Sequence, residues 1–171
     1  LDTALALAEL CCAANVPFVV NDRPDIAVLA RADGVHVGQD DLPVEAVRRV
    51  AREAFVGLST HEDSQVASAL AERPAYLAFG PVYPTESKQN PDGVVGVDRL
   101  ARVVRVATGI PVVAIGGITL ARAADVRETG AAAAAVIGEL ARAPDSDVTA
   151  RARALHTALG GGGSGSHTWT R

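Results

Sequence analysis

The chain has 171 residues, 49% of them hydrophobic and 21% charged, and a formal net charge of −4 at pH 7. That length suits one domain with a real core, and the charge balance, with no basic tract or aromatic-studded patch, speaks against a nucleic-acid partner. No apolar stretch approaches the roughly 18 residues of a membrane span, and no secretory signal is read, so a cytoplasmic location and no membrane partner are expected.

The elements are expected in a regular order. Thr3 to Ala14 reads as a helix with an apolar face of Leu5, Leu7, Leu10 and Cys11. Cys11 and Cys12 are adjacent and have no metal spacing, so they are expected as small core residues of a reduced protein. The chain has no Met and opens at Leu1 inside this helical pattern, so an excerpt of a longer protein is expected. Val16 to Val20 is a strand ending at Asn21-Asp22, and Pro24 opens a short helix through Arg31. Gly34 to Val37 is a strand ending at Gln39-Asp40-Asp41. Asp41 is a candidate cap for a helix with Pro43 in its first turn, running to about Glu53. Phe55 to Leu58 is a strand ending at Ser59-Thr60-His61, and Glu62 to Glu72 is helical. Tyr76 to Phe79 is a strand, and Asp98 to Ala107 a helix. Ile110 to Ile115 is a strand ending in Gly116-Gly117. Thr119 is expected to cap a helix that stops at Gly130. Ala131 to Ile137 is a strand ending at Gly138, and a helix spans about Asp145 to Leu159. Residues 1–159 form the expected domain; Gly160 to Arg171 is Gly/Ser-rich and reads as a disordered tail.

Strand, loop and helix thus recur six times. The strands are continuous apolar runs, as expected when both faces are covered, and the βα alternation predicts a parallel sheet. An open doubly wound sheet and a (β/α)8 barrel lacking its first strands compete. The Gly-rich turn of a dinucleotide site is absent, and the position of the unusual residues favours the barrel.

Those residues sit at strand ends, where α/β enzymes collect their chemistry. Of sixteen Lys and Arg residues, Lys88 is the one lysine. It stands beside Thr85 and Ser87, and a compact ammonium with two hydroxyls suits a phosphate or diphosphate. Asp22 and Asp41 with a neighbouring amide suit Mg²⁺, which takes few carboxylates and fills its shell with phosphate oxygens and water. Each is also a candidate helix cap. His36 alternates with apolar neighbours and reads as a packed, hydrogen-bonded histidine. Gly-rich turns after the last two strands suit a second phosphate. No nucleophile elbow is present, which speaks against a hydrolase triad.

Five segments carry a family resemblance: Val-Asn-Asp-Arg at 20–23, Ala-Asp-Gly-Val-His-Val-Gly-Gln-Asp-Asp at 32–41, Gly-Leu-Ser-Thr-His at 57–61, Gly-Pro-Val-Tyr-Pro-Thr-Glu-Ser-Lys at 80–88 and Val-Ala-Ile-Gly-Gly-Ile at 113–118. In order and spacing the set resembles the thiamine-phosphate synthase family. The resemblance implies an α/β fold, a (β/α)8 TIM barrel. It implies a transferase of thiamine biosynthesis, joining hydroxymethylpyrimidine diphosphate to thiazole phosphate and releasing diphosphate. It implies Mg²⁺ on Asp22 and Asp41. Asn21, Ser59, Thr85, Ser87 and Lys88 would line the substrate sites, with Ser59 and Lys88 at the catalytic centre. Gly117, Ile137 and Gly138 would hold the thiazole phosphate through backbone amides. The implied mechanism is dissociative, and a homo-oligomer is possible for such a barrel. The family's Gln-x-Arg-x-Lys segment on its second strand precedes the point where this chain begins, so strands three to eight are expected here. Gly138 stands where the family often has Ser. Two rival readings share the fold: a thiazole tautomerase-like enzyme, and a non-catalytic phosphate-binding remnant. The Pro after Gly80 and the Thr-Glu-Ser-Lys run distinguish the synthase pattern from the tautomerase one.

Overall fold

A computed structural model describes residues 1–85 and 93–161. The β-branched and apolar runs become six strands: β1 (Val19–Asn21), β2 (Gly34–Val37), β3 (Phe55–Thr60), β4 (Tyr76–Phe79), β5 (Val112–Ile115) and β6 (Ala133–Ala135). All neighbours pair in parallel, in the order β1-β2-β3-β4-β5-β6. An open doubly wound sheet reverses its strand order at a switch point. This one never does: it curls in one sense as a TIM-like half-barrel.

Helices alternate with the strands along the chain. They are α1 (Asp2–Ala13), α2 (Pro24–Ala30), α3 (Val44–Val50), α4 (Asp63–Glu72), α5 (Gly96–Val106), α6 (Ala123–Glu128), α7 (Gly138–Ala141) and α8 (Val148–Ala158). Strand residues alternate between faces. One set, including Val35, Val37, Val56, Leu58, Leu77, Phe79, Val112 and Ala114, packs beneath the helices with Val47, Val66, Leu100, Val103 and Val126 as one core. The other set, Gly34, His36, Gly57, Ser59, Tyr76 and Ala78 among it, faces inward by the same alternation.

Several expectations need correction. The face of Leu5, Leu7, Leu10 and Cys11 is not core: no residue of α1 is buried, and Cys12 is exposed. These leucines follow helical spacing, but the described residues provide no apolar layer over them. Asp41 does not cap α3, whose N-cap is Pro43; its Oδ2 instead accepts from the Gly38 amide at 2.7 Å and closes the loop after β2. Nor does Asp22 cap α2, whose N-cap is Arg23 without a side-chain bond. Thr119 makes no side-chain cap, and a 3-10 turn at Leu120–Arg122 precedes α6. The strand expected over 131–137 pairs only at Ala133–Ala135. The expected last helix is split, with a 3-10 turn at Asp145–Asp147 ahead of α8.

Candidate functional site

The ends of the six strands open onto one cavity of about 1240 Å³. Asn21, Asp22, Asp41, Ser59, Thr85, Gly117, Ile137 and Gly138 all line it. Ser87 and Lys88 lie outside the described residues. Gln39, His36, His61, Arg122, Arg142 and Arg151 also reach the wall.

The acidic side is built by two loops. Asp22 leaves β1 with left-handed backbone (φ 63°), a conformation that short polar side chains tolerate, and its amide donates to the His36 carbonyl at 2.8 Å. Burial and the facing Asp41 carboxylate push its acid above the ordinary value of 3.8, and the Asn21 amide acts in the opposite direction. The two carboxyls lie within hydrogen-bonding reach of each other. Two like charges that close are relieved by a proton or a cation. Among the described residues no group of three or more His, Cys, Asp or Glu side chains could hold a metal by itself. The pair therefore fits an ion that completes its shell with phosphate and water.

At the centre, His36 is held at both ring nitrogens. Nδ1 meets the Tyr76 hydroxyl at 2.9 Å and Nε2 meets Ser59 Oγ at 2.8 Å. The packed reading of His36 agrees with this, and burial holds its imidazole below the ordinary 6.5. The Gln39 side chain donates to the Ser59 carbonyl at 2.7 Å, tying the loop after β2 to β3. His61 Nδ1 meets the Gly80 carbonyl at 2.6 Å.

The far side is glycine-built and basic. Gly116 and Gly117 have φ of 93° and 64°, so L side chains are strained there. A Cβ on Gly117 would also collide with the main chain at Tyr83 and Pro84. The Arg122 guanidinium donates to the Gly117 carbonyl at 2.7 Å. Gly138 opens α7, and a Cβ there would stand 3.6 Å from the Arg142 guanidinium carbon. Arg151 donates to Glu139 at 2.9 Å.

Reading the sequence brought out the strand-end residues but missed Tyr76, Arg122 and Arg142. Tyr76 carries a signal in retrospect: Gly57 pairs with it in register and provides the space its ring fills. The arginines carry none, since they sit among twelve other described arginines on helices and loops.

The family model for thiamine monophosphate synthase matches residues 1–140. Thiamine-phosphate synthase of Lactiplantibacillus plantarum is 48% identical over 149 residues, covering 85% of this chain and 68% of that protein. The enzyme of that name from Chloroflexus aurantiacus is 44% identical over 155 residues, covering 91% of this chain and 70% of the relative. Among solved structures, thiamine phosphate pyrophosphorylase from Pyrococcus furiosus superposes with a TM-score of 0.83 at 32% identity, over 92% of this chain and 74% of that one. A 3-hexulose-6-phosphate synthase from Salmonella typhimurium, at 18% identity and a TM-score of 0.71, shares the fold alone. The chain belongs to the thiamine monophosphate synthase family.

Proposed function

We propose that this chain joins hydroxymethylpyrimidine diphosphate to thiazole phosphate, giving thiamine phosphate and diphosphate. One observation carries the reading: a single cavity gathers the acidic pair Asp22 and Asp41, the hydroxyls of Ser59 and Thr85, and the glycine turns at Gly117 and Gly138. The reaction breaks a carbon–oxygen bond to diphosphate and forms a carbon–nitrogen bond to the thiazole. The thiazole nitrogen brings its own lone pair, so the protein need not supply a nucleophile. Its task is to neutralise charge on the leaving group.

Asp22 and Asp41 would hold Mg²⁺, which when bound supplies positive charge to the diphosphate oxygens. Asn21 orients Asp22, and the Gly38 amide fixes Asp41. Ser59 offers a hydroxyl at the middle of the cavity, and Thr85 one at its edge. Ser87 and Lys88 follow Thr85 in sequence, and Lys88 would meet the diphosphate as a point charge. The amides of Gly117, Ile137 and Gly138 would receive the thiazole phosphate, with Arg122 and Arg142 close by. The fold is read more finely as strands three to eight of a (β/α)8 barrel. In support, β1 and β6 pair on one side only among the described residues.

The test is to incubate the purified chain with both substrates and Mg²⁺ and follow thiamine phosphate by chromatography. Product that requires both substrates is expected, with turnover cut sharply in Lys88→Ala. No product, together with no binding of either the pyrimidine diphosphate or the thiazole phosphate, would overturn the reading.

A further inference from the structure

We propose that Tyr76 is a positioning residue: it holds His36 as the Nε2–H tautomer, so that Ser59 accepts from His36 and directs its own proton to the bound substrate. The last step rests on the reading above, that this cavity takes the diphosphate substrate.

The arrangement follows from strand register. Asn21, His36, Gly57 and Tyr76 occupy one row across β1, β2, β3 and β4. His36 and Tyr76 are separated by the whole of β3. They meet because the residue between them is glycine. A Cβ on Gly57 would stand 2.5 Å from the Tyr76 hydroxyl oxygen and collide with its ring. With none there, the ring lies across β3 and reaches His36, the two rings nearly parallel at 14° with centroids 5.5 Å apart. Phe55 meets Tyr76 edge-on at 6.3 Å. Phe55 in turn occupies the space over Gly34. Two glycines thus set two aromatic rings in place.

The result is a chain of two hydrogen bonds, Tyr76 to His36 to Ser59, at 2.9 and 2.8 Å. A neutral imidazole carries one N–H, so the two bonds must run in the same direction. Either Tyr76 donates to Nδ1 and Nε2 donates to Ser59, or Ser59 donates to Nε2 and Nδ1 donates to Tyr76. A phenol is a good donor and a poor acceptor, because its oxygen lone pair is drawn into the ring. The bare imidazole nitrogen is a strong in-plane acceptor. The pair therefore settles with Tyr76 donating. At neutral pH an imidazole of ordinary basicity is largely uncharged and a phenol keeps its proton. With Nε2–H on Ser59 Oγ, the serine proton is released from His36 and faces the cavity. Ser59 is then a donor to an anionic leaving group, not an activated nucleophile. That suits a reaction whose difficulty is charge on the leaving group.

The test is nitrogen NMR on the full chain with ¹⁵N-labelled histidine. There are four histidines, and His36→Asn identifies the resonances of His36. In the wild type, Nε2 is expected to be protonated and Nδ1 bare. In Tyr76→Phe, which keeps the ring and its packing over Gly57, the Nδ1–H form gains population. Turnover in that variant falls about five- to tenfold, the loss of one hydrogen bond's organisation, while KM stays within about twofold. Protonated Nδ1 in the wild type overturns the proposal, as does Tyr76→Phe with unchanged turnover. Should the wild type make no product and bind neither substrate, the functional reading fails, yet the spectrum still decides the tautomer.

Discussion

The Arg122 guanidinium lies over the ring of Tyr83, its central carbon 4.5 Å from the ring centroid, and donates at the same time to the Gly117 carbonyl at 2.7 Å. One flat cation thus pins a left-handed glycine turn from below. If that turn receives a phosphate, Arg122→Ala should raise the KM for thiazole phosphate about tenfold, as expected for a charged hydrogen bond, with a smaller change in kcat. Arg122→Lys keeps the charge but not the planar stack, so it should restore only part of the loss. Steady-state kinetics with each substrate varied in turn would check this. Equal KM in all three proteins would leave Arg122 as a surface brace.

Asp41→Asn should have two opposite effects. Asn can still accept from the Gly38 amide, so the loop should keep its shape. The Asp22 acid, now raised by burial first and Asp41 second, should move back toward 3.8. A raised carboxyl costs stability as pH climbs from 3.8 through its folded value, and the cost persists above it. Removing Asp41's charge should therefore make the metal-free protein somewhat more stable at neutral pH. The same change should raise the Mg²⁺ needed for half-maximal turnover about tenfold, from the lost charge on the ion. Melting curves and a Mg²⁺ titration measure the two effects. Unchanged Mg²⁺ dependence would remove Asp41 from the metal reading.

Gly57→Ala adds one methyl beneath the Tyr76 ring, where little space exists. Overpacking of this kind costs about 1–3 kcal/mol, and the ring must leave His36. Urea unfolding should show the loss in midpoint with an unchanged slope. A variant as stable as the wild type would mean the ring has another place to go.

The pH dependence of folding should carry a His36 signature. Its folded value lies below the ordinary 6.5, so the unfolded chain binds the proton more readily in that interval. Stability is then full above about 6.5 and falls as pH drops toward the folded value. His36→Asn should flatten that part of the curve. An identical acid limb in both proteins would show that other groups set it.

The order of elements could be read from sequence because each strand is a short, local run of Val, Ile, Leu, Phe or Ala between turn residues. Gly34 to Val37 and Tyr76 to Phe79 match their strands end to end. Strand-end polar residues could be read for the same reason: a parallel sheet puts every C-terminal end on one rim. Capping could not. Asp41 and Thr119 stand where caps occur, but a loop contact to Gly38 takes the first and a 3-10 turn replaces the second. α7, four residues long, has no periodicity to detect. The partnership of Tyr76 with His36 spans 40 residues and depends on register across three strands, which no local pattern encodes.

The first helix has a consequence of its own. With none of its residues buried, α1 has little apolar surface to lose when it melts, and a lone helix of 12 residues is marginal in water. Its amides should therefore exchange with solvent through local opening, at a free energy well below that of the sheet. Exchange in β3 and β4 would report global unfolding. Within one chain, two clocks would run: a fast one for the helix and a slow one for the strands that carry the cavity.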